Sequence, residues 1–441
     1  MDYKNKNIAV LGAGESGEAA AILLAEEGAV VTLLDSADEK KLRPKADRFL
    51  QLGLPISVIA GSDAECDTRH YDRTIVSPGI DPATPLVQGL ARRCIDIVGE
   101  LELASEFCKC PVVAITGTNG KTTTTQLIER MFNGCGVRTL ACGNISPAFA
   151  AVVRKSTDLD VMTVEVSSFQ LEKIRAFKPH IAVWLNFSAN HLDRHPTMEA
   201  YLAAKLRIFE NQTVDDFAIV NLRDALPPLA AKKITFSAYQ TGGDFELRDG
   251  VIFHHGVAVL KMADTKLRGL HNAENLIAAL AVGHAHGLSF ERMAAPLRTY
   301  TALPHRCEFV RRLEEIDYIN DSKSTNLDSL EKALLSESRP VVLIAGGKDK
   351  GFAFDSLAEV VKDKVQHAVL IGQMADSVAA SWRGSVPCEK AGSLAEAVTI
   401  ARTRATTGGV VLFSPGTSSF DMFKNYEDRG NQFRELVQSL E

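Results

Sequence analysis

The feature that most constrains this chain is an alternation repeated along its length. A short, β-rich apolar run is followed by a loop of Gly, Ser and Asn, and then by a stretch with helical periodicity. Asn7–Leu11, Pro111–Thr116, Val161–Val166, Ile181–Asn186, Arg339–Ala345 and Gly409–Ser414 are such runs. Strands alternating with helices form βαβ units, which build mostly parallel sheets covered by helices, so the expected fold class is α/β. At ~150 residues per domain, 441 residues correspond to about three domains. Two segments read as joins. Ile95–Glu100 precedes the helical Leu101–Phe107, and Tyr300–His305 leads from a helical region into a new strand-containing block. They divide the chain into 1–99, 100–302 and 303–441.

Composition narrows the function classes. Hydrophobic residues are 46% and charged residues 24%, which is ordinary for a globular protein and excludes disorder or a coiled coil as the main architecture. Forty-nine basic against 55 acidic residues give a formal charge of −6, whereas nucleic-acid binding and adhesion to an anionic membrane both need a basic surface. The polar start Met1–Asn7 lacks the apolar stretch of a signal peptide, and no apolar run reaches the ~20 residues of a membrane span. Eight cysteines (66, 94, 108, 110, 135, 142, 307, 388) are scattered; only Cys108-Lys109-Cys110 is closely spaced, with no second pair to complete a zinc site. Reduced structural thiols and a cytoplasmic location are expected.

Gly12-Ala13-Gly14-Glu15-Ser16-Gly17 is a G-x-G-x-x-G directly after a strand, opening the helical stretch Glu18–Glu27; a second strand, Ala29–Leu34, ends at Asp35. That spacing suits a diphosphate at a helix N-terminus and an acid on a ribose hydroxyl. Taken alone, it admits NAD, another nucleotide, or a glycine turn that only packs helix on strand. Gly117-Thr118-Asn119-Gly120-Lys121-Thr122-Thr123 follows the strand Val112–Thr116 and precedes the helical Thr124–Phe132. Backbone N–H groups can cradle phosphate there, Lys121 supplies a point charge, and the Thr122 hydroxyl can ligate Mg²⁺. Ile115 stands where the full Walker pattern has its first glycine, so the loop is a shorter G-x-x-G-K-T. ATP binding is the reading it supports.

Glu165 ends a strand downstream of that loop and can serve as a Mg²⁺ ligand, since Mg²⁺ takes one or two carboxylates plus phosphate and water. Asn186–His195 packs a histidine, an aspartate and an arginine into one loop. Asn320–Asn326, Gly346–Lys350 and Ser414–Phe420 each follow a strand, at the ends where open α/β sheets bind ligands, and His305-Arg306 precedes one. His254-His255, between the expected strands Gly250–Phe253 and Val257–Leu260, has no acid or cysteine for company and reads as structural or exposed.

Gly117–Thr123, Glu165–Glu172 and His191-Leu192-Asp193-Arg194-His195 together resemble the ATP-dependent Mur ligases and their folylpolyglutamate synthetase relatives. Ser77-Pro78-Gly79-Ile80, Asn320–Asn326 and Ser414–Asn431 are similar to motifs of the members that add D-glutamate to UDP-N-acetylmuramoyl-L-alanine. The resemblance spans the chain. It implies a Rossmann-like N-terminal domain for the UDP end of the substrate, a P-loop-type central ATPase domain with a mostly parallel sheet, and a Rossmann-like C-terminal domain. It also implies an acyl-phosphate route in peptidoglycan precursor synthesis.

The same resemblance implies residue roles. Gly12–Gly17 would take a uridine diphosphate rather than NAD, with Gly14, Glu15, Ser16, Asp35, Ser36, Ser77 and Gly79 around it and Asn144, Ser167 and His191 toward the muramoyl portion. Thr118, Asn119, Gly120, Lys121, Thr122, Thr123 and Thr124 would hold ATP, with Asn272, Asn275, Arg306 and Asp321. Thr122, Glu165, His191 and a carbamylated Lys205 would serve two Mg²⁺ ions, and Lys121, His191 and Lys205 would be catalytic. Thr325, Lys350, Ser419, Phe420 and Tyr426 would receive D-glutamate. Partners would be these small molecules only, with neither nucleic acid nor membrane insertion, and the chain would be a monomer.

Two positions depart from the family pattern: Asn190 replaces an aspartate before the histidine, and Tyr426 stands where some members have phenylalanine. Other readings leave residues idle. A folylpolyglutamate synthetase would begin near the P-loop and have no use for Gly12–Gly17. An NAD-dependent oxidoreductase would leave Lys121-Thr122 unexplained, and a non-catalytic nucleotide-binding regulator would not need Thr122, Glu165, His191 and Lys205 together.

Overall fold

The computed structural model describes residues 2–81, 83–92, 96–188, 194–301, 304–335, 337 and 339–441. It divides into two compact units, 1–261 with 274–298, and 262–273 with 299–441.

The first unit carries two sheets. Strands β1 (Asn7–Leu11), β2 (Val30–Asp35), β3 (Ile56–Ala60), β4 (Arg73–Val76) and β5 (Asp96–Gly99) form an all-parallel sheet in the order β3-β2-β1-β4-β5. The chain order reverses beside β1, and such a switch point leaves a crevice at the strands' carboxyl ends. The second sheet comprises β6 (Val112–Thr116), β7 (Thr139–Gly143), β8 (Val161–Glu165), β9 (Ile181–Trp184), β10 (Phe217–Asn221), β11 (Lys232–Ser237), β12 (Phe245–Arg248), β13 (Val251–His254) and β14 (Val257–Lys261). Its order is β14-β13-β12-β11-β10-β9-β6-β8-β7, parallel from β7 through β12, with an antiparallel hairpin, β13–β14, at the edge. Every residue of β6 and β8 is buried, as expected for strands covered on both faces.

The second unit holds β15 (Glu308–Leu313), β16 (Ile316–Asn320), β17 (Val341–Gly346), β18 (Val365–Ile371), β19 (Cys388–Lys390) and β20 (Val410–Phe413), ordered β15-β16-β20-β17-β18-β19. Only β15 runs antiparallel among these described strands. The loops after β16, β20 and β17 therefore emerge side by side.

Both phosphate-type helices begin earlier than their apolar periodicity suggests. Glu15–Glu26 starts directly after Gly14, and Lys121–Gly134 directly after Gly120. In each the glycine is itself the N-cap, and polar first-turn residues hide the helix start from a hydrophobic pattern. Thr122 to Thr125 are poor helix formers, yet all four are buried in that helix. Packing overrides propensity there.

His255 and Gly256 both have positive φ (47° and 81°), forming the two-residue turn between β13 and β14. His255 is exposed, while the His254 ring packs at a tilt against His284 and Phe245, with centroids 4.5 Å apart in each case. Both agree with the reading of the pair as structural or exposed, but the pair does have an acid beside it: His255 Nε2 lies 3.5 Å from Asp244 Oδ1, brought there by the strand pairing rather than by sequence proximity. Among the described residues, no group of three or more metal-ligating side chains converges, and no helix is long and apolar enough to cross a membrane. The seven described cysteines are all free.

Candidate active site

The glycine loop after β1 is shaped by close approach. Gly12 sits at φ +92°, and a Cβ at Gly17 would collide with the Gly12 carbonyl oxygen. Ser77, after β4, donates its hydroxyl to that carbonyl at 3.2 Å. Asp35, at the end of β2, braces the loop: one carboxylate oxygen accepts Ala13 N at 2.6 Å, the other Ala37 N at 2.8 Å. Each oxygen thus already holds a backbone amide, while Ser36 beside it is exposed.

Beyond the helix start, Glu15 accepts the Ser146 hydroxyl at 2.7 Å, tying the loop to the segment after β7. Between them lies a cavity of about 400 Å³ lined by Gly14, Glu15, Ser16, Asp35, Ser77, Gly79, Asn144 and Gln170. The structure thus brings together Gly14, Glu15, Ser16, Asp35, Ser77, Gly79 and Asn144 of the expected UDP-end residues; Ser36 and Ser167 do not line the cavity, and His191 lies outside the described residues. Ser167 caps the helix Ser168–Leu171, with the Gln170 side chain accepting from the Ser167 N–H and hydroxyl.

In the second sheet, loops converge where β8, β6 and β9 end. Gly120 takes a left-handed φ of +82°, and a Cβ there would strike the Asn275 side chain. Asn275 Oδ1 accepts the Thr124 hydroxyl at 3.2 Å, so the expected nucleotide residue Asn275 lies against the P-loop helix. The loop is pinned from the β9 side, where Asn186 Oδ1 accepts Asn119 N at 2.9 Å and Asn186 Nδ2 donates to Asn119 O at 3.1 Å. Thr118 accepts Ser188 N at 3.1 Å. Lys121 Nζ donates to the Gly117 and Thr118 carbonyls, both at 3.0 Å, and Thr122 and Thr123 are buried at the helix start.

Lys205 is the least ordinary member. It lies near the end of the helix Met198–Leu206, is 1% exposed, and donates to Gly117 O at 2.7 Å. Tyr201, one turn earlier on the same face, places its ring centroid 4.8 Å from Lys205 Nζ. Burial, reinforced by the neighbouring Lys121 cation and opposed by Glu165, holds the Lys205 pKa well below the usual lysine value. Glu165 is 2% exposed; Oε1 accepts Asn144 Nδ2 at 2.9 Å, while the buried Oε2 has no hydrogen-bond partner. A buried carboxylate oxygen so left, beside the Thr122 hydroxyl's helix, suits a hard cation. His191 and Asn190 lie outside the described residues. Arg194, following them, donates to Ile80 O at 2.9 Å, and His195 Nε2 pairs with Ser168 Oγ at 2.9 Å.

In the second unit, Arg429 ties together two loops, those after β16 and β20. It is fully buried, with Nη2 donating to Ser322 O at 2.7 Å, Nε to Ser322 Oγ at 3.0 Å and Nη1 to Thr417 O at 3.2 Å. Burial pulls its pKa down to about 10. Lys348 N donates to Ser418 O at 2.8 Å, joining the β17 and β20 loops. Asp321 accepts Ser414 Oγ at 2.7 Å and Cys307 N at 3.1 Å, and burial pushes its pKa up to about 6, opposed by those bonds and by Arg306. Arg306 Nε is buried without a hydrogen-bond partner. Ser419 is buried, Thr325 and Tyr426 half-buried, and Lys350 and Phe420 exposed, the latter at 66%. Asn272 Nδ2 donates to Arg268 O at 2.9 Å.

Arg429→Ala is expected to lower stability by about 3 kcal/mol, because the Ser322 and Thr417 carbonyls lose a charged donor in the interior. A denaturant midpoint unchanged from wild type would show that other contacts hold these loops.

Sequence reasoning gave no role to Asn186, Tyr201, Gln170 or Arg429. Tyr201 could have been noticed as the i−4 neighbour of Lys205. Arg429 lies within Ser414–Asn431, but nothing there singled it out, since an arginine in an amphipathic helix reads as solvated.

Three family models match the chain: Mur ligase MurD-like N-terminal domain over 6–99, Mur ligase middle domain over 115–283, and Mur ligase glutamate ligase domain over 305–416. A protein of Geotalea daltonii named UDP-N-acetylmuramoylalanine–D-glutamate ligase is 41% identical over 451 residues, covering 100% of this chain and 99% of that protein. One of the same name from Pelotomaculum thermopropionicum is 41% identical over 460 residues, with the same coverage. Among solved structures, the UDP-N-acetylmuramate-alanine ligase MurC of Thermotoga maritima aligns with a TM-score of 0.62 at 17% identity, over 99% of this chain and 100% of that one. The MurF ligase of Thermotoga maritima in complex with ADP also gives 0.62 at 17% identity, over 92% and 94%. These structural likenesses show the fold.

Proposed function

This chain belongs to the Mur ligase family, and from that premise we propose that it joins D-glutamate to UDP-N-acetylmuramoyl-L-alanine with hydrolysis of ATP to ADP and phosphate. The observation that carries the reading is identity of about 40% over the full chain with D-glutamate ligases. The 400 Å³ cavity and the P-loop in the same unit support it.

A carboxylate is a poor electrophile, so amide formation in water needs activation. The L-alanyl carboxylate oxygen attacks the γ-phosphorus of ATP, and the bond to the β–γ bridging oxygen breaks, giving an acyl phosphate and ADP. The D-glutamate amine attacks the acyl carbon, phosphate leaves, and the amine's surplus proton is lost to solvent. The P-loop amides and Lys121 hold the phosphates and oppose the charge that spreads over the transferring group. Lys121 would leave its two loop carbonyls to do so.

The residues fit Mg²⁺: Glu165 Oε2 is buried without a hydrogen-bond partner, and the Thr122 hydroxyl lies at the helix start. Thr122, Glu165, His191 and a carbamate on Lys205 would hold two ions, which when bound neutralise phosphate charge. The lowered pKa of Lys205 makes its amine available to CO₂, and the resulting carbamate offers the anionic oxygens that Mg²⁺ prefers.

Asn272, Asn275, Arg306 and Asp321 serve ATP, and Thr325, Lys350, Ser419, Phe420 and Tyr426 serve D-glutamate, with the Lys350 cation on a carboxylate. The chain works in the cytoplasm as a monomer, in three domains parted near 99 and 302. Lys350→Ala is expected to raise the KM for D-glutamate by roughly tenfold or more, the scale of one charged hydrogen bond, and to leave the KM for ATP near wild type. Equal changes in both would misplace the amino-acid site.

Phosphate release from ATP tests the whole reading. It should require UDP-N-acetylmuramoyl-L-alanine and become sustained only with D-glutamate. Release indifferent to both substrates would overturn it.

A further inference from the structure

The turn beside the glycine loop and the segment that encloses Lys205 are joined through one arginine. Ile80, after β4, presses its side chain on the glycine loop: a Cβ at Gly12 would lie 3.1 Å from Ile80 Cδ1. The Ile80 N–H donates to Ser77 O at 3.0 Å, closing a turn whose Ser77 and Gly79 line the 400 Å³ cavity. The Ile80 carbonyl, in turn, accepts Arg194 Nη2 at 2.9 Å. Arg194 lies between β9 of the second sheet and the helix Met198–Leu206 that bears Lys205, so this bond ties the two sheets of the unit together.

The other side of Arg194 is fixed as well. Its guanidinium lies 4.9 Å from the Phe169 ring centroid, and Nη2 is 3.6 Å from Glu172 Oε2. Its side chain is only 15% exposed, which strengthens both the contact with the ring and the charged bond to the carbonyl. His195, the next residue, stacks on the same Phe169 ring at 5.3 Å, with Nδ1 3.5 Å from the other oxygen of Glu172. The His195 ring lies 5.0 Å from that of Tyr201, which packs on Lys205 Nζ. Adjacent residues thus hold two places that the ligase must keep in register: Arg194 the turn at the UDP end, His195 the wall beside Lys205.

We propose, resting on the ligase activity inferred above, that Arg194 is a positioning residue: it transmits the anchoring of the uridine diphosphate to the reacting end of the substrate. A substrate held at one end reacts at a rate set by how closely its other end is placed, and a shift of about 1 Å can cost ~10²-fold. Binding energy from the remote uridylyl group is expressed in turnover only while the two sites keep a fixed spacing.

Arg194→Met keeps the side-chain stem on Phe169 and removes the donor to Ile80. With UDP-N-acetylmuramoyl-L-alanine its kcat should fall roughly 30-fold, while the KM for ATP stays near wild type. With N-acetylmuramoyl-L-alanine, which lacks the uridine diphosphate, wild type and variant should differ by less than about twofold, because no remote anchor remains to transmit. A packing role alone would lower turnover of both substrates alike, and equal losses would overturn the proposal. Amide hydrogen exchange decides it in the wild type alone, even if the variant does not fold. Saturating UDP should slow exchange at 12–17 and also at 168–172. Protection confined to 12–17 would overturn the tie and leave the ligase reading standing; protection at neither would overturn the UDP site and the tie together.

Discussion

Lys205→Ala is expected to lose about 10³-fold or more in ligase turnover and to regain part of it in millimolar short-chain carboxylic acid. The reasoning begins with burial. A lysine that is 1% exposed, with Lys121 as a cationic neighbour, is held toward the neutral amine. A permanent ammonium beside a triphosphate's metal ions would repel them, whereas a carbamate supplies the anionic oxygens they take. Deleting the side chain leaves a space beside the Gly117 carbonyl, to which Nζ now donates. A small carboxylic acid can enter that space and restore an anionic oxygen pair. Recovery of activity requires a folded protein, so rescue separates lost chemistry from lost structure. Full activity of Lys205→Ala in CO₂-free buffer would end the carbamate account and leave Lys205 as a packing residue.

The second large effect is expected at Lys121. Its side chain folds back on the Gly117 and Thr118 carbonyls, poised over the loop that its own helix follows. The transferring phosphoryl group spreads negative charge over its oxygens, and a methyl group cannot oppose it. Lys121→Ala should lose at least about 10³-fold in turnover, with a smaller change in the KM for the UDP substrate, whose cavity is lined by other residues. Lys121→Arg tests whether charge alone suffices. Near-normal ligation by Lys121→Ala would remove this lysine from the mechanism.

Much of this architecture was legible because parallel strands buried on both faces are written as apolar runs. Asn7–Leu11 is a strand to the residue, and β6, β8, β17 and β20 lie within a residue or two of their apolar runs. The run Ile181–Asn186 is longer than its strand, which ends at Trp184 because Asn186 turns away to bond Asn119. Helix starts were less legible, since glycine caps and polar first turns carry no hydrophobic signal.

The candidate site divides the same way. Glycine loops and Thr122 announce themselves by spacing. Lys205 does not: a helix lysine is ordinarily solvated, and only the packing of Tyr201 and the P-loop carbonyl shows that this one is enclosed. Asp35 has the spacing of a ribose ligand, yet both its oxygens hold backbone amides, a local brace that spacing cannot distinguish from a ligand contact. The unpartnered Glu165 Oε2 and the buried Arg429 depend on residues far apart in sequence.

The acyl phosphate is the central claim, and oxygen transfer tests it most directly. UDP-N-acetylmuramoyl-L-alanine labelled with ¹⁸O in both oxygens of its alanyl carboxylate is supplied with ATP and D-glutamate, and the released phosphate is analysed by mass. If the carboxylate is phosphorylated, one labelled oxygen leaves with each phosphate and the other stays in the new amide. Unlabelled phosphate, with both heavy oxygens absent from it over a full round of ligation, would contradict the account.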